Sequence, residues 1–532
     1  MKISRSLSYI KNIILPCLIL GCLTGILVSV IIIFFKWVSG YVIQASEFIY
    51  VFLRNKPLFI IPAFMLIIAV AALSHWFYRW TPDSKGGGIP TSIAILRGIV
   101  SFKWLRNLIG VISASLVTFL FGIPLGNEGP CVQIGTAVGR GVSSTVGKNN
   151  KAWDRYVMTG GACAGFSVAT GAPISGIFFA IEEAHQRLSP MIIMVATTTV
   201  MFASAFSELM CGVFGISPRL FEIFDTVPLS LSQIWIPALM GFAMGLFSIA
   251  FMMLGRAVTA LNSRFLKNRD ISVKIFITLL ITFALGLISY SFLGTGHKQI
   301  EQAVDGNIFW LVLIIIILLR AFLMLFANKS GATGGMFVPI LALGAMFSAI
   351  MADMLLLLGV PEHYYATIVL LGVTACLAAM VKIPVTAVVF AMEALSLSGN
   401  ILHIITSVTV AFMITEIAGM KSINEAAMEN RVKQLTENQR PETYGATVKV
   451  RAKAFAVGKA VRDIFWPHNL FVLSVRHGSE RPEVDEHGAG AIREGDELYV
   501  RFTTSDYDNT ISELKALVGE QVIDAVKTEN DC

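Results

Sequence analysis

The stretch Leu116-Val-Thr-Phe-Leu-Phe-Gly-Ile-Pro-Leu-Gly126-Asn127-Glu128-Gly129-Pro130 holds a lone acidic residue deep in an apolar run. A carboxylate at bilayer depth costs about 3 kcal/mol on insertion scales, so Glu128 reads as functional. Gly126, Gly129 and Pro130 break any helix there. A broken helix at membrane depth is tolerated where its backbone lines a cavity or is covered by protein. A proton-titratable charge on a broken intramembrane helix points to ion or proton transport.

The rest of the chain fits a membrane protein. Its 532 residues are 55% hydrophobic and 14% charged, with mean hydropathy +0.72. The formal charge of +6 comes with no basic patch interleaved with aromatics, so nucleic acid is not an expected partner. The seven cysteines are scattered without a CxxC pair, which argues against a disulfide framework or a zinc site. The apolar run Ile13–Phe35 exceeds the roughly 7–15 residues of a signal-peptide core and reads as a retained first helix. Lys2, Arg5 and Lys11 place its start in the cytoplasm.

Spanning helices are expected at Ile13–Phe35, Leu58–Phe77, Ile192–Cys211, Ile234–Met253, Ile275–Ser291, Phe309–Phe326 and Ile401–Ile417. Between them lie shorter apolar pieces cut by Gly and Pro: Thr91–Ile99, Cys131–Val142, Tyr156–Thr170, Ile174–Ile181, Pro339–Met351, Thr367–Val381 and Val385–Met392. The chain also repeats. Gly126, Pro130 and Gly135 recur as Gly335, Pro339 and Gly344 at an offset of 209 (335−126). Pro173 and Glu182 recur as Pro384 and Glu393 at an offset of 211 (384−173). Short, interrupted helices in two related halves predict a transporter-type inverted repeat around a midplane site. Both termini are expected in the cytoplasm, in a multi-pass protein of the cell (inner) membrane.

Three breaks share one design: Gly86-Gly87-Gly88-Ile89-Pro90, Gly126-Asn127-Glu128-Gly129-Pro130 and Gly335-Met336-Phe337-Val338-Pro339, each followed by an apolar helix. Proline suits a first helical turn, and glycine lets backbone approach a ligand. Converging helix N-termini would bind an anion through backbone N–H groups without formal positive charge.

These motifs resemble those of the CLC chloride channel and chloride/proton exchanger family, over about residues 10–430. Gly86–Pro90 is similar to its GSGIP motif, Gly126–Pro130 to GREGP and Gly335–Pro339 to GxFxP. The resemblance implies a homodimer in the lipid bilayer with one anion pathway per subunit. It makes Glu128 the gating carboxylate that competes with the anion and carries protons. It makes Glu183 the inner proton-transfer residue and gives Met336 and Phe337 as backbone contacts of the anion. The anion set implied is Gly86, Gly87, Gly88, Ile89, Gly126, Asn127, Gly129, Met336, Phe337 and Asn424. A plain alternative for Glu183 is a helix-end carboxylate at an interface, and Glu182 and Glu393 read as structural. There are departures. Gly87 stands where the family usually has a serine, Asn424 where many members have a tyrosine, and Asn127 where a basic residue is usual. Chloride leads as the transported ion, with nitrate and fluoride open.

From Gly419 the composition turns polar. The expected organisation is a membrane domain over 1–430, a linker over 431–445, a small cytoplasmic α/β domain over 446–520 and a frayed tail over 521–532. Strands are expected at Ala446–Phe455, Leu470–Arg476 and Asp496–Phe502, with helices at Gly458–Phe465 and Ser505–Val518. Ala456–Ile464, Leu470–Gly478 and Arg493–Val500 resemble the RCK_C (TrkA_C) domain of potassium-transport regulators. That resemblance implies dimerisation and a cyclic dinucleotide such as cyclic di-AMP as a regulator, with a purely structural module as the alternative. The fold class is thus an all-α polytopic membrane protein of two inverted repeats plus a small α/β domain. The function is anion/proton exchange, with a passive anion channel or a ligand sensor on the same scaffold as alternatives. A cation transporter is disfavoured, since no carbonyl-lined filter motif is present. An enzyme is disfavoured too, for lack of a nucleophile–base pair or metal cluster.

Overall fold

Apolar length and glycine breaks together determine the helices of this computed structural model, which describes residues 10–146, 151–306, 308–436, 441–478, 488, 490–519 and 522–527. The first half comprises α1 (Leu15–Asn55), α2 (Ile60–Trp80), α3 (Gly88–Leu96), α4 (Trp104–Leu120), α5 (Glu128–Thr145), α6 (Lys151–Thr170), α7 (Pro173–Phe179) and α8 (Pro190–Phe214). The second comprises α9 (Trp235–Leu266), α10 (Ile271–Ile288), α11 (His297–Val304), α12 (Trp310–Ser330), α13 (Phe337–Leu357), α14 (Tyr365–Val381), α15 (Pro384–Ala394), α16 (Ile401–Ile417) and α17 (Ile423–Thr436). Among the described residues, nine helices are long and apolar enough to cross a membrane. Apolar side chains such as Leu58, Trp76 and Leu357 remain exposed on them, as lipid contact requires.

Several expected bounds are corrected. The first helix does not stop at Phe35 but continues to Asn55, because one lysine does not terminate a helix of otherwise good formers. Lys36 is therefore intramembrane. Pro339–Met351 and Thr367–Val381 are parts of longer helices that can span, and Trp104–Leu120 is a helix absent from the expected set. The basic start Met1–Arg5 lies outside the described residues.

Helices α5 and α6 cross with their backbones in contact. A Cβ on Gly161 would stand 2.2 Å from the Gly135 carbonyl oxygen, and one on Gly135 would stand 2.0 Å from that of Gly161. Small residues at a four-residue spacing provide this close crossing in place of a hydrophobic driving force.

The repeat is visible as reciprocal hydrogen bonding. Glu182 accepts from the Val385 and Thr386 backbone N–H groups at 2.9 and 2.6 Å and from the Thr386 hydroxyl at 2.5 Å. Glu393 accepts from the Ile174 and Ser175 N–H groups at 2.8 Å each and from the Ser175 hydroxyl at 2.7 Å. Each carboxylate caps the N-terminus of the other half's helix, α15 or α7, where unpaired N–H groups and the helix dipole favour negative charge. We predict that Glu393→Ala and Glu182→Ala lower stability by similar amounts, about 1–3 kcal/mol each. Thermal unfolding in detergent tests this, and a large effect from one substitution with none from the other would contradict it.

The C-terminal domain is a four-stranded antiparallel sheet, ordered β2-β3-β1-β4, with one long helix. It comprises β1 (Glu442–Lys449), β2 (Leu470–Arg476), β3 (Glu497–Thr504), α18 (Tyr507–Val518) and β4 (Val522–Lys527). Alternation in β3 buries Leu498, Val500 and Phe502 against Leu514, Leu517 and Val518 of α18. The expected helix at Gly458–Phe465 is only a short turn, Val461–Asp463. The expected tail contains β4, paired to β1, and the expected linker contains the end of α17 and the start of β1. Residues 437–440 of that linker and 528–532 of that tail lie outside the described residues.

The domain docks through Phe465. Its ring lies 4.3 Å from that of Tyr156 and 4.5 Å from that of His185, with the Arg155 and Arg187 guanidinium groups at 4.8 and 4.5 Å. Tyr156 donates to the Asp463 carbonyl at 2.7 Å and Arg155 to that of Trp466 at 2.6 Å. Each cation–π contact stabilises by about 0.5–2 kcal/mol. Phe465→Ala is therefore expected to release the domain, raising hydrogen exchange across Tyr156–Thr159 and Ala184–Arg187. Unaltered exchange there would show that Phe465 does not hold the dock.

Candidate functional site

The three glycine breaks meet. Gly126 and Gly335 exchange backbone hydrogen bonds of 2.7 and 2.8 Å, an antiparallel bridge between the two repeats. Gly86 donates to the Gly331 carbonyl at 3.2 Å and accepts from Gly334 N–H at 3.3 Å. A Cβ on Gly88 would stand 2.0 Å from the Gly129 carbonyl oxygen, and one on Gly129 would stand 2.6 Å from Gly335 Cα. The N-termini of α3, α5 and α13 thus converge at backbone contact. Their first-turn N–H groups and dipoles concentrate partial positive charge there.

Neighbouring groups fix this geometry. Thr333 donates to the Ser84 carbonyl at 2.6 Å and meets the Tyr78 hydroxyl at 3.0 Å. The Phe337 ring packs edge-on against Phe166 at 5.2 Å and Phe390 at 5.4 Å. Fully buried Arg320 donates to the Leu293 and Gly294 carbonyls at 2.6 Å each, and Gly294 N–H donates to the Gly122 carbonyl ahead of the Glu128 loop.

Glu128 is 0% exposed, in the first turn of α5, and its carboxylate folds back toward Gly126. The backbone N–H groups of Glu128 itself and of Val338 lie nearby, but among the described residues neither oxygen has a partner in ordinary hydrogen-bond geometry. A buried carboxylate without partners is costly, and it is most easily kept where function needs it. Asn127, Ile89, Met336 and Phe337 are buried around the same junction.

Lys36 was not singled out from the sequence. Its ammonium donates to the Val168 and Ala169 carbonyls at 3.3 Å each and lies within charge–charge reach of Glu128. It brings an ionisable amine from α1 to the neighbourhood where Asn127 brings none. The signal was available: a single lysine inside a long apolar helix.

Glu183, 5% exposed, sits in a π-helical turn, Ala180–Ala184, that continues α7. Asn424, expected among the anion donors, directs a side-chain N–H to the Glu183 carboxylate. A buried carboxylate draws the nearest donor to itself. Arg97, also missed, locks this corner by donating to the carbonyls of Ala184 at 2.9 Å and Glu183 at 3.1 Å. The docked Phe465 reaches the same segment through His185.

On the side of α17 and the C-terminal domain, a cavity of about 410 Å³ opens onto the backbone of Gly86 and Gly87. Arg79, Lys85, Lys274, Lys329 and Arg431 line it. Its acid, Asp270, is paired with His75 at 2.6 Å. A cleft lined by one sign of charge raises the local concentration of the opposite ion.

Among solved structures, a slow cyanobacterial Cl⁻/H⁺ antiporter is 24% identical, with 79% of this chain and 98% of that one aligned at a TM-score of 0.71. A CLC-type fluoride/proton antiporter is 18% identical, with 76% and 96% aligned at 0.62. A eukaryotic CLC transporter is 17% identical, with 84% and 79% aligned at 0.65. At these identities the likeness establishes the fold. The family model for voltage gated chloride channels matches residues 69–416, more than half of the chain and all three glycine breaks. By its fold, its internal repeat and this match, the chain belongs to the voltage gated chloride channel (CLC) family.

Proposed function

We propose that this protein exchanges a small monovalent anion, chloride first among candidates, for protons. The observation that carries the reading is Glu128: fully buried, without an ordinary hydrogen-bond partner among the described residues, at the meeting of three helix N-termini. Deprotonated, its carboxylate occupies the place an anion would take. Protonated, it leaves that place and carries its proton with it. Glu183, held by Asn424, relays protons on the side of the C-terminal domain. The basic cavity gathers anions there and passes them to Gly86–Gly88, Ile89, Gly126–Gly129, Met336 and Phe337. Two of the similar structures are antiporters, which supports exchange.

In this reading both termini are cytoplasmic, the protein spans the cell membrane as a homodimer, and the C-terminal domain is of RCK_C type. The exposed edge strand β2, with Phe471 65% and Leu473 53% exposed, supports a dimerising role for that domain. Cyclic di-AMP is the proposed regulator. Flux from reconstituted vesicles in chloride, nitrate and fluoride, with external pH recorded, tests the exchange. Anion flux that never moves protons uphill would leave a passive channel. Saturating cyclic di-AMP that neither binds nor alters flux would remove it as regulator.

A further inference from the structure

Gly87 has no side chain to offer an anion, and another residue points a donor into its place. A Cβ at Gly87 would stand 3.3 Å from Asn328 Nδ2, 3.4 Å from Pro90 Cδ and 3.7 Å from the Gly334 carbonyl oxygen. Asn328 lies in the last turn of α12, seven residues before Gly335 in the other repeat. Its Nδ2 is buried and finds no acceptor among the described residues. Asn328, Gly86 and Gly87 line the same basic cavity. A buried amide donor without a protein acceptor is uncommon and needs an explanation, most simply a ligand.

We propose that Asn328 is a specificity-determining residue of the anion pathway, its Nδ2–H₂ donating to the anion in the space left by the absent Gly87 side chain. The inference rests on the transport reading above. A carboxamide N–H is a neutral donor, so it orients and selects an anion without the fixed charge of the lysines and arginines farther out. A hydrogen bond to a charged partner contributes roughly tenfold or more in affinity. Asparagine also presents a second N–H and a carbonyl oxygen on a planar group, which a serine hydroxyl does not. The geometry therefore favours a different order among chloride, nitrate and fluoride from that of a hydroxyl-bearing site.

The test uses the full-length protein in vesicles. Asn328→Asp keeps size and shape but replaces the donor with an acceptor. It is expected to lower apparent affinity for chloride and nitrate by about tenfold or more, with thermal unfolding close to wild type. Asn328→Ala is expected to lose affinity to a similar degree. Gly87→Ser added to Asn328→Ala returns a donor to the same space and is expected to recover most of the loss. Gly87→Ala in the same background fills part of that space without a donor and is expected to recover little, which separates a donor from a packing role. Unaltered affinity and ion order in Asn328→Asp would overturn the assignment. Should that variant fail to fold, the alanine pair decides: no loss in Asn328→Ala, or no recovery with Gly87→Ser, overturns it. Wild-type protein that neither binds nor carries any of the three anions defeats the transport reading and this assignment together. Wild-type flux with inert variants defeats only the assignment.

Discussion

Glu128→Gln is expected to abolish uphill proton movement while anion flux persists. Glutamine keeps the shape of the side chain and cannot ionise or release a proton. Positioned proton-transfer groups contribute about 10²–10⁴-fold to rates, so the proton-to-anion flux ratio should fall about a hundredfold or more. The side chain is 0% exposed and has no ordinary hydrogen-bond partner to lose among the described residues, so the fold should survive the change. Vesicles with a chloride gradient and a pH electrode report the result directly. A purified variant that still drives protons uphill would remove Glu128 from the proton path.

Gly88→Ala is expected to abolish anion flux altogether. Its Cβ would lie 2.0 and 2.3 Å from the carbonyl oxygen and carbon of Gly129, both backbone atoms that no rotamer can move. The N-terminus of α3 must then part from that of α5, and the convergent dipoles separate with it. Overpacking of this kind typically costs about 1–3 kcal/mol even where the core can adjust. The control is one residue away. Gly87→Ala places its Cβ no closer than 3.3 Å to any neighbour and should fold normally. Equal flux in Gly88→Ala and wild type would show that the helix ends need not touch.

The glycine breaks were legible in sequence because Gly and Pro carry their conformational consequences locally. The repeat was legible because duplicated punctuation keeps its spacing. The reciprocal caps followed in outline: Glu182 and Glu393 read as structural, and the fold pairs each with the opposite half. What stayed hidden is long-range. Nothing in Phe326–Lys329 announces that Asn328 faces Gly87, some 240 positions earlier. Apolar run length ended α1 at Phe35, and the next residue, Lys36, proved to be an intramembrane amine in the neighbourhood of Glu128. Asn424 was placed among the anion contacts by the family resemblance, and its bond to the Glu183 carboxylate, 241 positions away, was not legible in sequence. Strand β4 escaped notice because a short edge strand draws its stability from the partner β1, not from its own composition.

The bridge between Gly126 and Gly335 restricts how this machine can cycle. Many transporters expose their site alternately by rocking one repeat against the other. Here that motion would tear the shared bridge, the Gly86 contacts and both carboxylate caps at once. At roughly 1 kcal/mol per neutral bond and more for each charged one, the rupture costs on the order of 10 kcal/mol. Conformers that interconvert in a working cycle usually differ by only a few kcal/mol. The two halves therefore behave as one clamped frame, and turnover falls to small parts inside it. Under the proposed exchange the chamber stays put while its tenant changes, an anion at one moment and the Glu128 carboxylate at the next.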